Sequence, residues 1–187
     1  MKRALKREHL IEVATELFNQ FGYHASGIDQ IIEQAGIAKT TLYRYFSSKD
    51  ELIVEVLRRI DEKFRLDMRH AVVESANAPI QKILASFDFL HEWFKETTFF
   101  GCPFMSAAGE FNSKTSPVFQ EALLHKRLML AYFEELTRAA NLKNPLQLAE
   151  EINLLHEGAT AIAHINGDPD IASKAKAAAQ KLITNSN

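Results

Sequence analysis

Apolar side chains recur at spacings of three and four along nearly the whole chain, a period that only helices satisfy. Leu10, Ile11, Ala14, Leu17, Phe18 and Phe21 fall on one face of a first helix. Gly22 ends it as a C-terminal cap. Ser26 and Asp29 give a capping-box signal for a short second helix, with Ile28, Ile31, Ile32 and Ala35 as its apolar stripe. Gly36 breaks that helix. Leu42 and Phe46 mark a third short helix. Ser47-Ser48-Lys49-Asp50-Glu51 opens a fourth, with both serines placed to cap. Pro79 suits the first turn of a fifth helix that should end near Glu96. A short apolar helix follows the loop from Thr97 to Pro103. Two long helices are expected over 117–140 and 145–166. An alanine-rich last helix begins near Asp168-Pro169, and 185–187 should fray. No alternating run with turn chemistry suggests a strand. The expected fold class is all-α, with about nine helices. A three-helix head, residues 1–48, precedes a larger helical body, residues 49–187.

At 187 residues the chain can bury a core without staples. Its 47% apolar and 25% charged residues are those of a globular protein, not a disordered one. One cysteine, Cys102, excludes an internal disulfide framework and a multi-cysteine zinc site. The seven histidines make no metal-ligand cluster: His156 and His164 stand eight apart, and His91 follows Asp88 at i+3. They read as satisfied or surface histidines, and neither a metal nor another cofactor is expected. No apolar run follows the basic N-terminus, and no window approaches a membrane span, so the cytoplasm is the expected compartment. Residues 1–49 carry seven Lys and Arg against five acids, while residues 71–187 carry ten against thirteen. A slightly basic head on an acidic body suits nucleic-acid contact by the head.

Two short helices joined at a glycine match the helix-turn-helix. The turn must be tight, and Gly36 can adopt positive φ there at little cost. With Ile31, Ala35, Ile37 and Leu42 turned inward, the third helix presents Lys39, Thr40, Thr41, Tyr43, Arg44 and Tyr45. Hydroxyls, guanidinium and ammonium groups and aromatic edges are what a major groove is read with. The basic start, Lys2, Arg3, Lys6 and Arg7, reads equally as a DNA-reaching arm or a solvated terminus.

The stretch Ile11-Glu12-Val13-Ala14-Thr15-Glu16-Leu17-Phe18-Asn19-Gln20-Phe21-Gly22-Tyr23 resembles the first helix of the tetracycline-repressor (TetR) family. The segment from Ser26 through Ala35-Gly36-Ile37-Ala38-Lys39-Thr40-Thr41-Leu42-Tyr43-Arg44-Tyr45-Phe46 to Leu52 continues the resemblance in the same register. It covers about residues 8–57. It implies a homodimeric transcriptional regulator, usually a repressor, that leaves its DNA operator when a small effector binds. By position it implies Lys39, Thr40, Thr41, Tyr43 and Arg44 as groove readers, and Ser26, Tyr45 and Lys49 at phosphates. Three residues depart from the pattern. Gly27 replaces a hydroxyl residue, Ala38 replaces a serine cap, and Ile32 replaces an alanine.

In the body, nine of the thirteen phenylalanines lie between Phe87 and Phe133. Most are core. An aromatic-lined effector cavity would draw on Phe87, Trp93, Phe104, Phe111 and Phe133. Cys102, in Gly101-Cys102-Pro103, stands at a loop-to-helix junction. A Gly-Cys pair there resembles a branch of the family with thiol sensors of oxidants and electrophiles, which makes Cys102 a candidate redox residue. Against it, a lone cysteine among phenylalanines is usually a small buried hydrophobe. Gly158, Ala159, Ala161 and Ala163 are small enough for close helix approach, and the resemblance implies a dimer interface there. The expected function is a dimeric repressor binding a pseudo-palindromic double-stranded DNA operator and released by a small apolar effector. A thiol sensor with the same head is the alternative. A small all-α enzyme is a further one, without a catalytic motif to support it.

Overall fold

The computed structural model describes the backbone of residues 2–186 and the side chains of residues 4–186. Lys2 and Arg3 of the basic start therefore have side chains outside the described set. Among the described residues there are nine helices and no strand: α1 (Lys2–Phe21), α2 (Ile28–Gln34), α3 (Lys39–Tyr45), α4 (Lys49–Ser75), α5 (Pro79–Phe94), α6 (Pro103–Glu110), α7 (Pro117–Ala139), α8 (Pro145–Asn166) and α9 (Ile171–Asn185).

Most boundaries follow from the residues that set them. At α4, Ser48 Oγ accepts the Glu51 N–H at 3.1 Å, and Glu51 accepts from both the N–H and the hydroxyl of Ser47 at 2.6 Å. Ser48 thus caps, as expected, whereas Ser47 caps no N–H and donates to the Glu51 carboxylate instead. The capping box expected at α2 does not form. Gly27 holds the N-cap position without a side-chain bond. Ser26 Oγ instead donates backwards, to the carbonyls of Leu17 at 3.0 Å and Gly22 at 2.8 Å. α3 begins at Ala38 without a side-chain cap, as its sequence implies. Of the residues expected to fray, Asn185 ends α9 and the Ser186 carbonyl accepts the Lys143 N–H at 2.9 Å, while Asn187 lies outside the described residues.

The chain forms two compact units. One comprises residues up to Glu62 together with Pro103–Leu124, and the other Lys63–Cys102 with His125–Asn187. The first contains α1 to α3, the start of α4, α6 and the start of α7. Its core includes Leu10, Ala14, Leu17, Ile31, Leu42, Leu52, Ile53, Phe104 and Val118, all 3% exposed or less. In the second, α5, α8 and α9 pack together around Ile83, Phe87, Leu90, Phe133, Leu148, Ile152 and the small residues Ala159, Ala163, Ala172 and Ala179.

In the first unit α6 braces the α1–α2 turn. The Glu110 carboxylate accepts the backbone N–H of Tyr23 at 2.9 Å and of His24 at 2.6 Å. The Tyr23 hydroxyl donates to the Pro103 carbonyl at 3.1 Å. Phe111 stacks on His24, with centroids 4.6 Å apart. Gly22 turns the chain at φ +88°, and a Cβ there would lie 3.0 Å from Glu110 Oε1, so the brace and the glycine require each other. None of this was legible from the sequence, since 86 residues separate His24 from Glu110.

Candidate nucleic-acid interface

The geometry of α2 and α3 is that of a helix-turn-helix. Gly36 has φ +62°, and the Ile37 N–H reaches the Ile32 carbonyl at 3.1 Å, closing the turn. Ile31 and Leu42 are fully buried and Ala35 nearly so. That anchoring turns the rest of α3 outward. Lys39, Thr40, Tyr43 and Arg44 are exposed, while Thr41 and Tyr45 are half-buried. The Arg44 guanidinium lies over the Tyr45 ring, 5.0 Å being the spacing of the Arg7–Phe46 pair nearby and 5.5 Å its own. Lys39 Nζ bonds Asp29 Oδ1 at 2.8 Å, and that hydrogen bond and charge raise its pKa. Both partners are open to solvent, so the pair stabilises little and can be exchanged for a phosphate.

Two expected phosphate contacts are placed otherwise. Ser26 is fully buried, and its hydroxyl is committed to two carbonyls. It joins the end of α1 to the start of α2 and presents nothing to a ligand. Lys49 is half-buried, and its ammonium donates to the His24 carbonyl at 3.3 Å. Burial lowers its pKa, opposed by the charge of Glu110. In the unbound protein Ser26 is thus a strut, while the Lys49 ammonium lies at the edge of the head against the α1–α2 turn. Ser26→Ala is expected to destabilise the protein by roughly 1–3 kcal/mol, the cost of orphaning buried partners. The salt dependence of any DNA binding should not move. Urea denaturation and a salt titration of affinity check the two halves.

The basic start is built in at Arg7. Its guanidinium pairs with Glu55 at 3.1 Å and stacks over Phe46. Arg59 holds Glu8 and Glu55 beside it, and the Arg59 bond keeps the Glu8 carboxyl below its ordinary range. Of the arm residues with described side chains, only Lys6 is exposed.

The five aromatic residues expected around one cavity divide between the units. Phe104 is buried in the first, and Phe111 braces Tyr23 and His24 there. In the second, Phe87 and Phe133 meet the same histidine, His156. Trp93 packs edge-on to Phe64 at 5.0 Å and Phe99 at 4.9 Å. A cleft of about 240 Å³ in this unit is lined by residues including Ser75, Gln81, Leu84, Asp88 and Lys176, and by none of the five.

Cys102 is half-buried, and Lys126 Nζ lies 3.3 Å from its sulfur. The same ammonium reaches Glu157 at 2.5 Å. Burial opposes the charge on Lys126, but Cys102 and Glu157 outweigh it and raise the pKa. Neither neighbour was singled out from the sequence. Among the described residues no group of three His, Cys, Asp or Glu side chains is placed to hold a metal. No described helix is long and apolar enough to cross a membrane.

The small residues of α8 also divide. Ala159 and Ala163 are buried in the unit's own core, at 3% and 2% exposure. Gly158 and Ala161 are half-buried and flank an outward apolar row of Leu154, Ile162 and Ile165, which are 73%, 43% and 79% exposed.

A buried scaffold that turns a short polar, basic and aromatic helix outward defines a helix-turn-helix protein. Comparison with known proteins narrows this. Residues 10–56 match the bacterial regulatory proteins of the tetR family. The transcriptional activator FasR of Mycolicibacterium smegmatis is 36% identical over 93 residues, 48% of this chain and 42% of FasR. The transcriptional regulator RutR of Escherichia coli is 44% identical over 55 residues, 29% of this chain and 26% of RutR. The matches thus span less than half of either relative. A TetR-family transcriptional regulator from Streptomyces coelicolor superposes with a TM-score of 0.89 at 26% identity, covering 97% of this chain and 95% of the other. Residues 10–56 thus carry that family's helix-turn-helix segment, and the chain as a whole has the fold of a TetR-family regulator.

Proposed function

We propose that the protein is a transcriptional repressor that binds double-stranded DNA as a homodimer and is released by a small effector. The observation that carries this is the outward face of α3, with Lys39, Thr40, Tyr43 and Arg44 exposed over a fully buried Leu42. Side chains of this kind read base edges and phosphates. Thr41 and Tyr45 act at the edge of that face. Residues 1–48 form the DNA-binding head, and residues 49–187 bind effector and dimerise. Repression needs nothing beyond occupancy of the operator. Catalysis is set aside because the family is regulatory, and the cytoplasm, where the DNA is, is the place of action.

The partner for dimerisation is a second copy through α8. Leu154, Ile162 and Ile165 set a water-facing apolar row beside Gly158 and Ala161, and self-complementary burial about a two-fold axis would cover it. A two-fold protein reads an inverted repeat with half-sites about one helical turn apart. Selection from random duplexes should therefore recover an inverted repeat. Recovery of no motif, or of a lone half-site, would count against the reading. Leu154→Glu with Ile165→Glu should shift sedimentation to the monomer and weaken DNA binding at least tenfold, because two charges would enter an apolar contact.

A second reading has one observation in its favour, the ammonium of Lys126 beside Cys102. An ammonium in contact with the sulfur can draw an anionic oxidant or electrophile to it. On this reading oxidation of Cys102 releases the DNA. Diamide should then dissociate the wild-type complex and leave Cys102→Ser bound. Equal responses of wild type and Cys102→Ser would remove the thiol from the account.

A further inference from the structure

The buried polar side of α8 is not accounted for by DNA binding or dimerisation. His156 is 3% exposed and lies edge-on between Phe87 and Phe133, with ring centroids 5.5 and 5.3 Å away. Burial, reinforced by the charge of Lys126, drives its pKa down to about 3, so the ring is neutral and carries one proton. The backbone of Ser86 bonds the ring in the sense that favours the protonated form, which makes the Ser86 carbonyl the acceptor. Nε2 has no partner, so the bond and the proton belong to Nδ1. Nε2 is left as a bare lone pair inside the protein.

One turn earlier on α8, Asn153 Oδ1 is also buried without a partner. Residues at i and i+3 share a side of a helix. Two unmet atoms on one side are therefore both acceptors, and each such atom is costly to leave unmade. Neighbouring donors do not meet them. The Thr160 hydroxyl donates to the His156 carbonyl at 3.0 Å, and Lys126 is engaged by Cys102 and Glu157. An anion would face two lone pairs. A cation would find Glu157 already neutralised by Lys126. A neutral donor on an aromatic body fits the His156 acceptor and the rings of Phe87 and Phe133 beside it.

We propose that His156, with Asn153 one turn away on α8, forms the polar end of an effector site whose ligand presents a neutral hydroxyl, as a phenol does, that donates to His156 Nε2. This rests on the reading that the body binds an effector. The probes are para-alkylphenols and the matching alkylfluorobenzenes, which keep the shape but lack the donor. Calorimetry on the full-length protein without DNA should show the phenols binding roughly tenfold tighter. His156→Phe should erase that ratio, and His156→Gln, which restores an acceptor, should keep part of it. Wild-type protein labelled with nitrogen-15 in its histidines needs no variant: the Nε2 resonance of His156 should shift on adding the phenol and stay put with the fluorobenzene.

The proposal is overturned if neither series binds, if both bind equally, or if the phenol binds without moving that resonance. It is equally overturned if Nε2 is held by a water that no phenol displaces. DNA release, followed separately, keeps the two readings apart. A phenol that moves the His156 resonance but leaves the DNA complex intact supports the site and contradicts effector release. A compound that releases DNA without touching His156 does the reverse.

Discussion

Arg44→Ala is expected to weaken operator binding by at least thirtyfold while leaving the fold intact. The side chain is exposed, and its described neighbour is the Tyr45 ring, so removing it disturbs no core. An arginine reading a base or clamping a phosphate contributes roughly 1–3 kcal/mol. In the proposed dimer one substitution removes two copies, roughly 2–6 kcal/mol per operator, about thirtyfold to ten-thousandfold. Lys39→Ala should cost less, because Lys39 starts from an ion pair with Asp29 that DNA must first exchange. The slope of log affinity against log salt should flatten by about one for each phosphate contact removed. Unchanged affinity in both variants would remove α3 as the reading element.

Acidification from pH 7 to pH 5 is expected to destabilise the protein by about 2 kcal/mol through His156. In the unfolded chain this imidazole titrates at its ordinary value of 6.5, and in the folded protein at about 3. Between those values the unfolded state binds the additional proton. The stabilisation is therefore complete above pH 6.5 and is lost progressively as the pH falls towards 3, at about 1.4 kcal/mol per unit. Glu8, Glu51, Glu92 and Asp168, all held below their ordinary values, lose their contributions mainly below about pH 5. Urea denaturation at the two pH values should show the loss in wild type and a flatter response in His156→Phe. Identical losses in the two proteins would mean that the buried ring is not the source.

How much could be read from the chain depended on the range of the interaction. Helix periods, the Ser48 cap, Pro79 and the positive φ of Gly36 are local, and each appears where the residues put it. The inward set of Ile31, Ala35 and Leu42 is local too, so the outward face of α3 followed from it. What failed was long-range. Ser26 carries the same residues around it as a capping box would, yet its hydroxyl finds Leu17 and Gly22 first. Phe104 and Phe111 fall within the phenylalanine-rich stretch but pack in the unit that holds the head. Glu110, Lys126, Glu157 and His156 carry no local signal at all. Their roles come from partners tens of residues away, such as Tyr23 for Glu110 and Phe87 for His156.

The most direct test of the central claim is fluorescence anisotropy of the full-length protein on the DNA upstream of its own coding sequence, across a salt series. The account expects tight binding that falls linearly with log salt, with a slope of roughly −0.9 for each phosphate contact, and that Arg44→Ala weakens sharply. Binding that ignores salt, or that is as tight on scrambled duplex and insensitive to Arg44→Ala, would contradict it and point to a protein partner for α3.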